Sequence, residues 1–278
     1  MQRFKQLFPL HRCNIIGMIH VGALPGTPKY ERNFDKIIET AVHEAKIYEN
    51  HSCDAILIEN MHDVPYVQDQ NLGPEITAAM TRITSEVKRA LKTPTKVGIQ
   101  ILACGNRQAL AVAKATGAHF VRAEGFVFSH VADEGFTDAN AGKLLRYRKN
   151  IDAENVLVFT DIKKKHSSHS ITQDVSLGET AHAAEFFLSD GVILTGTATG
   201  DAAKPADLEE LYGKIKIPVL IGSGVTADNL EDYFDKAQGL IVGSYFKENG
   251  NWQNGLEESR VREFMQKVNK LRAKTNSK

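Results

Sequence analysis

The sequence predicts an α/β fold built as a single (β/α)8 TIM barrel. Three observations support this fold: the chain length, the number of strand-like segments and the helical patterns between them. The chain has 278 residues, and one barrel typically needs about 250. No linker rich in proline, glycine or serine divides it, so we expect one domain over residues 1–278, with an N-terminal extension at 1–12 and a C-terminal segment with a closing helix at 248–278.

Eight short apolar segments have the length and the β-branched composition of strands. They are nearly continuous apolar runs, a pattern typical of parallel strands that are covered on both faces. In chain order the segments are 15–20, 55–59, 97–101, 120–122, 156–159, 191–194, 219–221 and 240–242. Eight parallel strands favour closure into a barrel, and a doubly wound flavodoxin-like or Rossmann sheet is the alternative.

Amphipathic helices are predicted between the strands. Apolar residues recur at spacings of three and four over 34–48 and again over 76–91, which places them on one face of a helix. Ser176 and Glu179 have the spacing of a capping box, and Thr226 stands where an N-cap would open the seventh helix. Strand and helix thus alternate along the whole chain, as a barrel requires.

Composition excludes several classes of partner. Lysine plus arginine equals aspartate plus glutamate at 34 each, so no net field directs the protein to nucleic acid or to an anionic membrane. No apolar run approaches the length of about 18 residues that a spanning helix needs. We therefore expect a soluble protein with no membrane insertion and no nucleic-acid partner.

Cysteine usage and the N-terminal composition bear on the cellular compartment. Cys13, Cys53 and Cys104 are widely spaced and odd in number, which suits a reducing compartment and predicts a cytoplasmic location. The first thirty residues are basic and contain no acidic residue, a composition similar to a mitochondrial presequence. The mitochondrial matrix is therefore the alternative location.

The last two predicted strands are each followed by small residues. Gly222, Ser223 and Gly224 follow one strand, and Gly243 and Ser244 follow the other. In TIM barrels these two loops often bind phosphate, because bare glycine backbone lets N–H groups approach an anion. The alternative is that the glycines serve only the strand-to-helix turns. Two consecutive loops of this kind favour a small phosphorylated ligand.

The other strand ends are unusually polar, and catalytic residues of barrels collect there. Polar groups buried without partners would cost several kcal/mol each, so we expect them to form one hydrogen-bonded network around a ligand. The candidates for catalysis are His20, Glu59, Arg122, Asp161 and Lys163, and the candidates for substrate or phosphate binding include Asn60 and Thr195.

Residues two apart on a strand share a face, so we expect Asp161 beside Lys163 and Arg122 beside Glu124. A carboxylate beside an ammonium can exchange protons with a substrate, or the lysine can attack a carbonyl carbon. Two salt bridges that only close the barrel mouth are the alternative interpretation.

Two polar loops complete the set of candidates. The loop at 163–169 contains three lysines, His166 and His169, and its interpretations are an anion-binding or gating loop, a solvated loop, or a metal site. Adjacent lysines weaken cation binding, so no metal ligand is assigned in this loop. Glu59, Asp161 and His20 could together bind a divalent ion, so such an ion stays open as a cofactor. The loop with Thr195 and Thr199 offers hydroxyls for a sugar or a phosphate.

Taken together, these segments resemble the BtpA/SgcQ family over roughly residues 14–247. The resemblance rests on the matching segments 16–20, 24–28, 58–60, 73–75, 122–125, 161–166, 195–200, 222–226 and 239–244. It implies a barrel of the ribulose-phosphate-binding type. One member of the family is linked to photosystem I biogenesis, and a bacterial relative has been called a nucleoside triphosphatase. This chain contains no P-loop or other nucleotide-cofactor motif. Residues 248–255 match no family feature, which leaves a lid or an oligomer contact open there.

Two functions remain open at this point. The first is an isomerase, epimerase, lyase or hydrolase that acts on a small phosphorylated sugar or a nucleotide-derived metabolite. The second is a non-catalytic factor for the assembly or stability of a protein complex, similar to the family member of photosystem I biogenesis. The cofactor and the oligomeric state stay undetermined, and a homo-oligomer is allowed.

Overall fold

The computed structural model describes residues 1–8 and 13–275, and it confirms the predicted barrel. The strands of this part of the chain are β1 (Asn14–His20), β2 (Ala55–Glu59), β3 (Lys96–Gln100), β4 (Phe120–Ala123), β5 (His130–Ala132), β6 (Gly135–Thr137), β7 (Leu157–Asp161), β8 (Ser167–Ser168), β9 (Gly191–Leu194), β10 (Val219–Ile221) and β11 (Gly239–Val242). Eight of these described strands are parallel and close in chain order, so that β11 pairs with β1. The predicted segments match them to within two residues.

Helices follow the barrel strands as predicted. Within residues 1–8 and 13–275 they are α1 (Gln2–Leu7), α2 (Phe34–Asn50), α3 (Pro74–Ala90), α4 (Asn106–Thr116), α5 (Ala141–Asn150), α6 (Leu177–Phe186), α7 (Pro205–Leu211), α8 (Leu230–Phe234) and α9 (Glu258–Thr275). None of the described helices is both long and apolar enough to cross a lipid bilayer.

The capping predictions have opposite outcomes. The capping box of Ser176 and Glu179 is present at the start of α6. The prediction for Thr226 is wrong, because α8 begins four residues later with Asn229 as its N-cap residue. The Thr226 hydroxyl accepts a hydrogen bond from the Asn229 N–H, and the Asn229 side chain accepts one from the Thr226 N–H. Thr226 therefore stabilises a turn that precedes the helix.

An aromatic cluster fills the amino end of the barrel. Phe4 and Phe8 are 1% and 2% exposed, and they pack against Phe159 of β7 and Phe120 of β4, with ring centroids 5.9 and 6.1 Å apart. They belong to the same apolar cluster as the inward side chains of the strands. Since this end is filled with apolar groups, the polar inward residues gather at the carboxyl ends of the strands.

Two further structures surround the carboxyl end. Strands β5 and β6 form a hairpin, and β8 pairs with β5, which gives a small antiparallel sheet outside the barrel. After β11, the buried ammonium of Lys247 lies 2.7 and 2.8 Å from the two carboxylate oxygens of Glu44 on α2. This ion pair holds the start of the segment 248–255 against the barrel, where it precedes α9.

We expect Phe4→Ala to lower the free energy of unfolding by about 3–5 kcal/mol, because it removes a buried ring and leaves a cavity in the amino end. Lys5→Ala, a neighbouring substitution on the exposed side of α1, should change it by less than about 0.5 kcal/mol. Denaturant unfolding of both variants measures the difference. Equal stability of the two variants would show that α1 does not support the barrel.

Candidate active site

The loops after the last two strands lie together at the carboxyl end and line a small recess of about 30 Å³. All five residues predicted there belong to its wall, and so does Thr199 from the loop after β9. The residues that these loops contribute to the wall are Thr199, Gly200, Gly222, Ser223, Gly224, Gly243 and Ser244. We call this space the glycine recess. The structure thus brings the sequence-predicted phosphate loops to one place.

The glycine recess depends on close backbone packing. Gly224 has a φ of 66°, and a Cβ atom added to it would lie 2.2 Å from backbone atoms of Asp201 and Ala202. The Ser223 hydroxyl accepts a hydrogen bond from the Gly196 N–H and donates one to the Asp201 carbonyl oxygen. Ser223 therefore joins the loops after β9 and β10. Because its hydroxyl group is already hydrogen-bonded, the backbone of the recess is the part of these loops that could bind an anion.

The remaining predicted binding residues have internal partners. Thr195 Oγ1 accepts a hydrogen bond from the Lys165 N–H, 3.1 Å away. His166 Nε2 lies 2.9 Å from Thr199 Oγ1 and accepts the Thr199 N–H. These contacts tie the loop at 163–169 to the rim of the glycine recess.

Asn60 is placed differently from the expectation. It is fully buried and lies outside the wall of the recess. Its amide group donates to Asp63 and to the Leu102 carbonyl oxygen, and its side-chain oxygen accepts the Leu102 N–H. These bonds join the loops after β2 and β3.

The predicted pairing of Asp161 with Lys163 is wrong. Asp161 accepts hydrogen bonds from Arg122 Nε at 3.1 and 3.2 Å, and Arg122 Nη2 lies 3.0 Å from the same carboxylate. Residues two apart on one strand are about 6.6 Å apart, whereas neighbouring strands are about 4.8 Å apart. Lys163 follows the end of β7 with a φ of 46°, and its ammonium donates to the Thr172 carbonyl oxygen.

The predicted pairing of Arg122 with Glu124 is wrong for the same reason. Glu124 accepts a hydrogen bond from Lys164 Nζ at 3.1 Å and another from the Cys104 N–H. Burial would raise the pKa of the Glu124 carboxyl, but Lys164 and the Cys104 N–H hold it below its ordinary value. Lys164, which the sequence did not single out, is buried between Glu124 and Glu134.

Lys165 is a candidate catalytic residue that sequence reasoning missed. It lines the glycine recess, and with the other described residues its ammonium forms neither a salt bridge nor a hydrogen bond. Burial and then the positive charge of Arg122 lower the pKa of this amine. The three consecutive lysines at 163–165 were the available signal, but sequence could not tell which of them faces the barrel axis.

Glu59 and His20 line the same recess as Lys165. Burial raises the pKa of the Glu59 carboxyl to about 7. Burial, followed by the charge of Lys247, lowers the pKa of His20 well below its ordinary value, so the ring is neutral. Its Nδ1 donates to the Trp252 carbonyl oxygen at 3.2 Å, which leaves the lone pair of Nε2 towards Glu59, whose Oε2 lies 3.9 Å away.

The metal alternatives receive no structural support within residues 1–8 and 13–275, where no group of three or more His, Cys, Asp and Glu side chains is arranged to hold an ion. The carboxylate of Asp161 forms a salt bridge with Arg122 and is not available as a metal ligand in this arrangement. His169 is also occupied, since its Nε2 lies 2.9 Å from the Lys164 carbonyl oxygen.

A second cavity of about 340 Å³ adjoins the recess and shares Glu59, Met61, Arg122, Lys165 and Thr199 with it. We call it the aromatic chamber. Its apolar wall includes Met61, Tyr66, Leu102, Ala103 and Trp252, and its polar wall includes Gln100, Glu124, Asp133, Glu134 and Lys164. Trp252 comes from the segment 248–255, which no sequence pattern had assigned.

Comparisons with known proteins agree with this architecture. The model of the BtpA family matches residues 11–270. A Caenorhabditis elegans protein named "Uncharacterized protein F13E9.13, mitochondrial" is 49% identical over 93% of this chain and 94% of its own length. The photosystem I biogenesis protein BtpA of Synechocystis is 33% identical over 94% of this chain and 89% of its own length.

Solved structures share the barrel at low sequence identity. Phosphoribosyl anthranilate isomerase from Thermus thermophilus has a TM-score of 0.57 and 14% identity, covering 93% of this chain and 99% of that chain. KGPDC from Streptococcus mutans has a TM-score of 0.57 and 10% identity, covering 93% of this chain and 98% of that chain. These likenesses show the fold alone, and the family match shows the lineage: the chain is a TIM-barrel member of the BtpA family.

Proposed function

We propose that this protein is an enzyme that transfers protons on a small phosphorylated metabolite, a sugar phosphate or a nucleotide-derived compound. The observation that carries the proposal is the position of Lys165 and Glu59. Both line the same recess as the glycine loops, and their pKa values are displaced in opposite directions, towards neutrality. Such pairs of titratable groups are typical of general acid–base sites.

The glycine recess is the proposed site of the phosphate group. Its wall offers bare backbone at Gly222, Gly224 and Gly243, which permits N–H groups to approach an anion. Arg122 adds positive charge at the wall of the recess while it is paired with Asp161. Lys165 lines the same wall and is left for the chemistry.

The proposed reaction takes place between Lys165 and Glu59. A neutral lysine amine can take a proton from carbon next to a carbonyl group and become an ammonium, while the carboxyl group of Glu59, with a pKa near 7, donates its own proton to a neighbouring atom. Proton exchange from the ammonium to the carboxylate through solvent then restores both groups. This chemistry serves isomerases, epimerases and lyases. Neutral His20 would orient the reacting oxygen, and the Arg122–Asp161 pair would stabilise negative charge that develops beside it.

The alternative is a non-catalytic role in assembly or stability, which the name of the Synechocystis relative suggests. It predicts ligand binding without turnover. Partly desolvated ionisable groups that converge on one cavity favour catalysis over scaffolding. For the cellular location, the name of the Caenorhabditis elegans relative supports the mitochondrial alternative.

Ser244→Asp should abolish the binding of inorganic phosphate and of ribose 5-phosphate, because it places a carboxylate at the wall of the recess. Ser244→Ala is the matched control and should lose less than about tenfold, the equivalent of one hydrogen bond. Ligand-induced shifts of the unfolding temperature measure both. Gly224 is unsuitable for this test, since any side chain there meets the backbone of Asp201 and Ala202. Phosphate binding by Ser244→Asp at wild-type affinity would exclude the recess.

Lys165→Met should reduce proton transfer by about 10²–10⁴-fold, the usual contribution of a general acid or base, and Lys163→Met should leave it unchanged. The assay is the incorporation of deuterium from heavy water into a panel of ketose and aldose phosphates, observed by NMR. Borohydride trapping of the wild type reports whether Lys165 forms a Schiff base instead. A larger loss in Lys163→Met than in Lys165→Met would reverse the assignment.

Glu59 should make the stability of the fold depend on pH. Its pKa is raised from 4.5 to about 7 in the folded state, so its contribution is fully present below about 4.5 and is lost as the pH rises through about 7. Glu59→Gln should therefore be more stable than the wild type above this range, by at most about 3 kcal/mol. Urea unfolding of both proteins across the range measures this difference, and parallel curves would contradict it.

A further inference from the structure

We propose that the ligand carries a planar nitrogen heterocycle in addition to its phosphate, as a nucleoside monophosphate does, and that this ring occupies the aromatic chamber beneath Trp252. The inference rests on the proposed function, because it extends the same ligand from the glycine recess into the adjoining cavity. It narrows the broader group of phosphorylated metabolites to those that carry such a ring. Nucleoside monophosphates serve here as binding probes, because their closed ribose has no carbonyl group for the proposed proton transfer.

The sizes and positions of the two cavities support a ligand with two unlike parts. The recess of about 30 Å³ is too small for a ring, whereas the chamber of about 340 Å³ lies within the usual range of ligand pockets. The two share Glu59, Arg122 and Lys165 in a common wall. A ligand with its phosphate in the recess therefore passes the proposed reacting groups before it reaches the chamber.

The apolar wall of the chamber suits a flat ring. Met61, Leu102 and Ala103 form a buried cluster against which Tyr66 and Trp252 pack. The Tyr66 hydroxyl donates to the Met61 carbonyl oxygen at 2.7 Å, so that tyrosine presents its ring. Aromatic and thioether groups stack on planar rings and offer little to the hydroxyls of a sugar.

Gln100 supplies the polar recognition. It is 2% exposed, and its buried Oε1 atom has no hydrogen-bond partner among the described residues. A buried polar atom without a partner costs about 1–3 kcal/mol, which a ligand that donates a hydrogen bond would offset. A primary amide presents an acceptor beside donors, the arrangement that pairs with the edge of a nitrogen heterocycle. Gln100 lines the chamber, at the end of β3.

Trp252 is held in place before any ligand arrives. Its carbonyl oxygen accepts the hydrogen bond from His20, and its ring lies 5.2 Å from the ring of His62. His20, which holds Trp252 through this hydrogen bond, also lines the glycine recess. This arrangement preorganises the stacking surface, which reduces the entropy that binding would otherwise cost.

The experiment uses the intrinsic fluorescence of the protein, since Trp252 is the one tryptophan in the sequence. AMP, GMP, CMP and UMP are each titrated against the full chain, with ribose 5-phosphate and inorganic phosphate for comparison. We expect at least one nucleoside monophosphate to quench Trp252 and to bind about tenfold or more tightly than ribose 5-phosphate, since stacking on an aromatic side chain contributes about 5- to 150-fold. Ribose 5-phosphate should bind without quenching.

Variants test the same contacts by calorimetry. Trp252→Ala should reduce nucleotide affinity to that of ribose 5-phosphate and leave ribose 5-phosphate itself unaffected. Gln100→Met, of similar size, should weaken the nucleotide about tenfold through the lost hydrogen bond. Gln253→Ala is the control, because this neighbour of Trp252 lines a different cavity, and it should bind like the wild type.

The outcomes separate the two proposals. If ribose 5-phosphate binds as tightly as every nucleotide and no ligand quenches Trp252, the heterocycle is excluded while the phosphate site stands. If neither ribose 5-phosphate nor any nucleotide binds, the proposed function fails and this inference fails with it. Should Trp252→Ala not fold, the wild-type titration and Gln100→Met still decide.

Discussion

The buried ion pair between Arg122 and Asp161 is the interaction on which the carboxyl end of this barrel depends. Both side chains are almost inaccessible to water, and removal of either would leave an uncompensated charge, which is strongly destabilising. The guanidinium is fixed by contacts of its Nε and Nη2 atoms with the carboxylate of Asp161. From this fixed position it acts on the groups around it, raising the cost of protonating Lys165 and lowering that of ionising Glu59.

The charged groups around this ion pair differ in whether they have a close partner of opposite charge. Arg122 pairs with Asp161, and Lys164 pairs with Glu124. Lys165 and Glu59 line the recess, and among the described residues neither has a salt bridge to a side chain of full opposite charge. Burial moves both pKa values towards neutrality. Partition of this kind is typical of active sites, where stability is given up locally and supplied by packing elsewhere. The apolar amino end of the barrel, which Phe4 and Phe8 fill, is a well-packed region of this kind.

Membership of the BtpA family settles the lineage of the chain, but the names within the family do not converge on one activity. The barrel itself serves many chemistries, so function must be argued from the site. Two features of this site are informative beyond the fold. First, the glycine recess adjoins the aromatic chamber, which Trp252 lines. Second, Gln100 lines the chamber, and its buried amide oxygen has no hydrogen-bond partner among the described residues.

The sequence by itself determined the eight barrel strands, the capping box of α6 and the grouping of the glycine loops, because these follow from local periodicity and from residues whose backbone preferences act over a few positions. It also placed His20, Glu59, Arg122 and Asp161 at the strand ends. Only the tertiary structure decided which charges pair. Contacts across adjacent strands are shorter than contacts along one strand. Arg122 therefore pairs with Asp161, and Glu124 pairs with Lys164. Lys165, and not Lys163, lines the recess. The same holds for Trp252, which stands 232 residues beyond His20 in the chain. It reaches the site through the ion pair of Lys247 with Glu44 and the hydrogen bond from His20, contacts that no local pattern encodes.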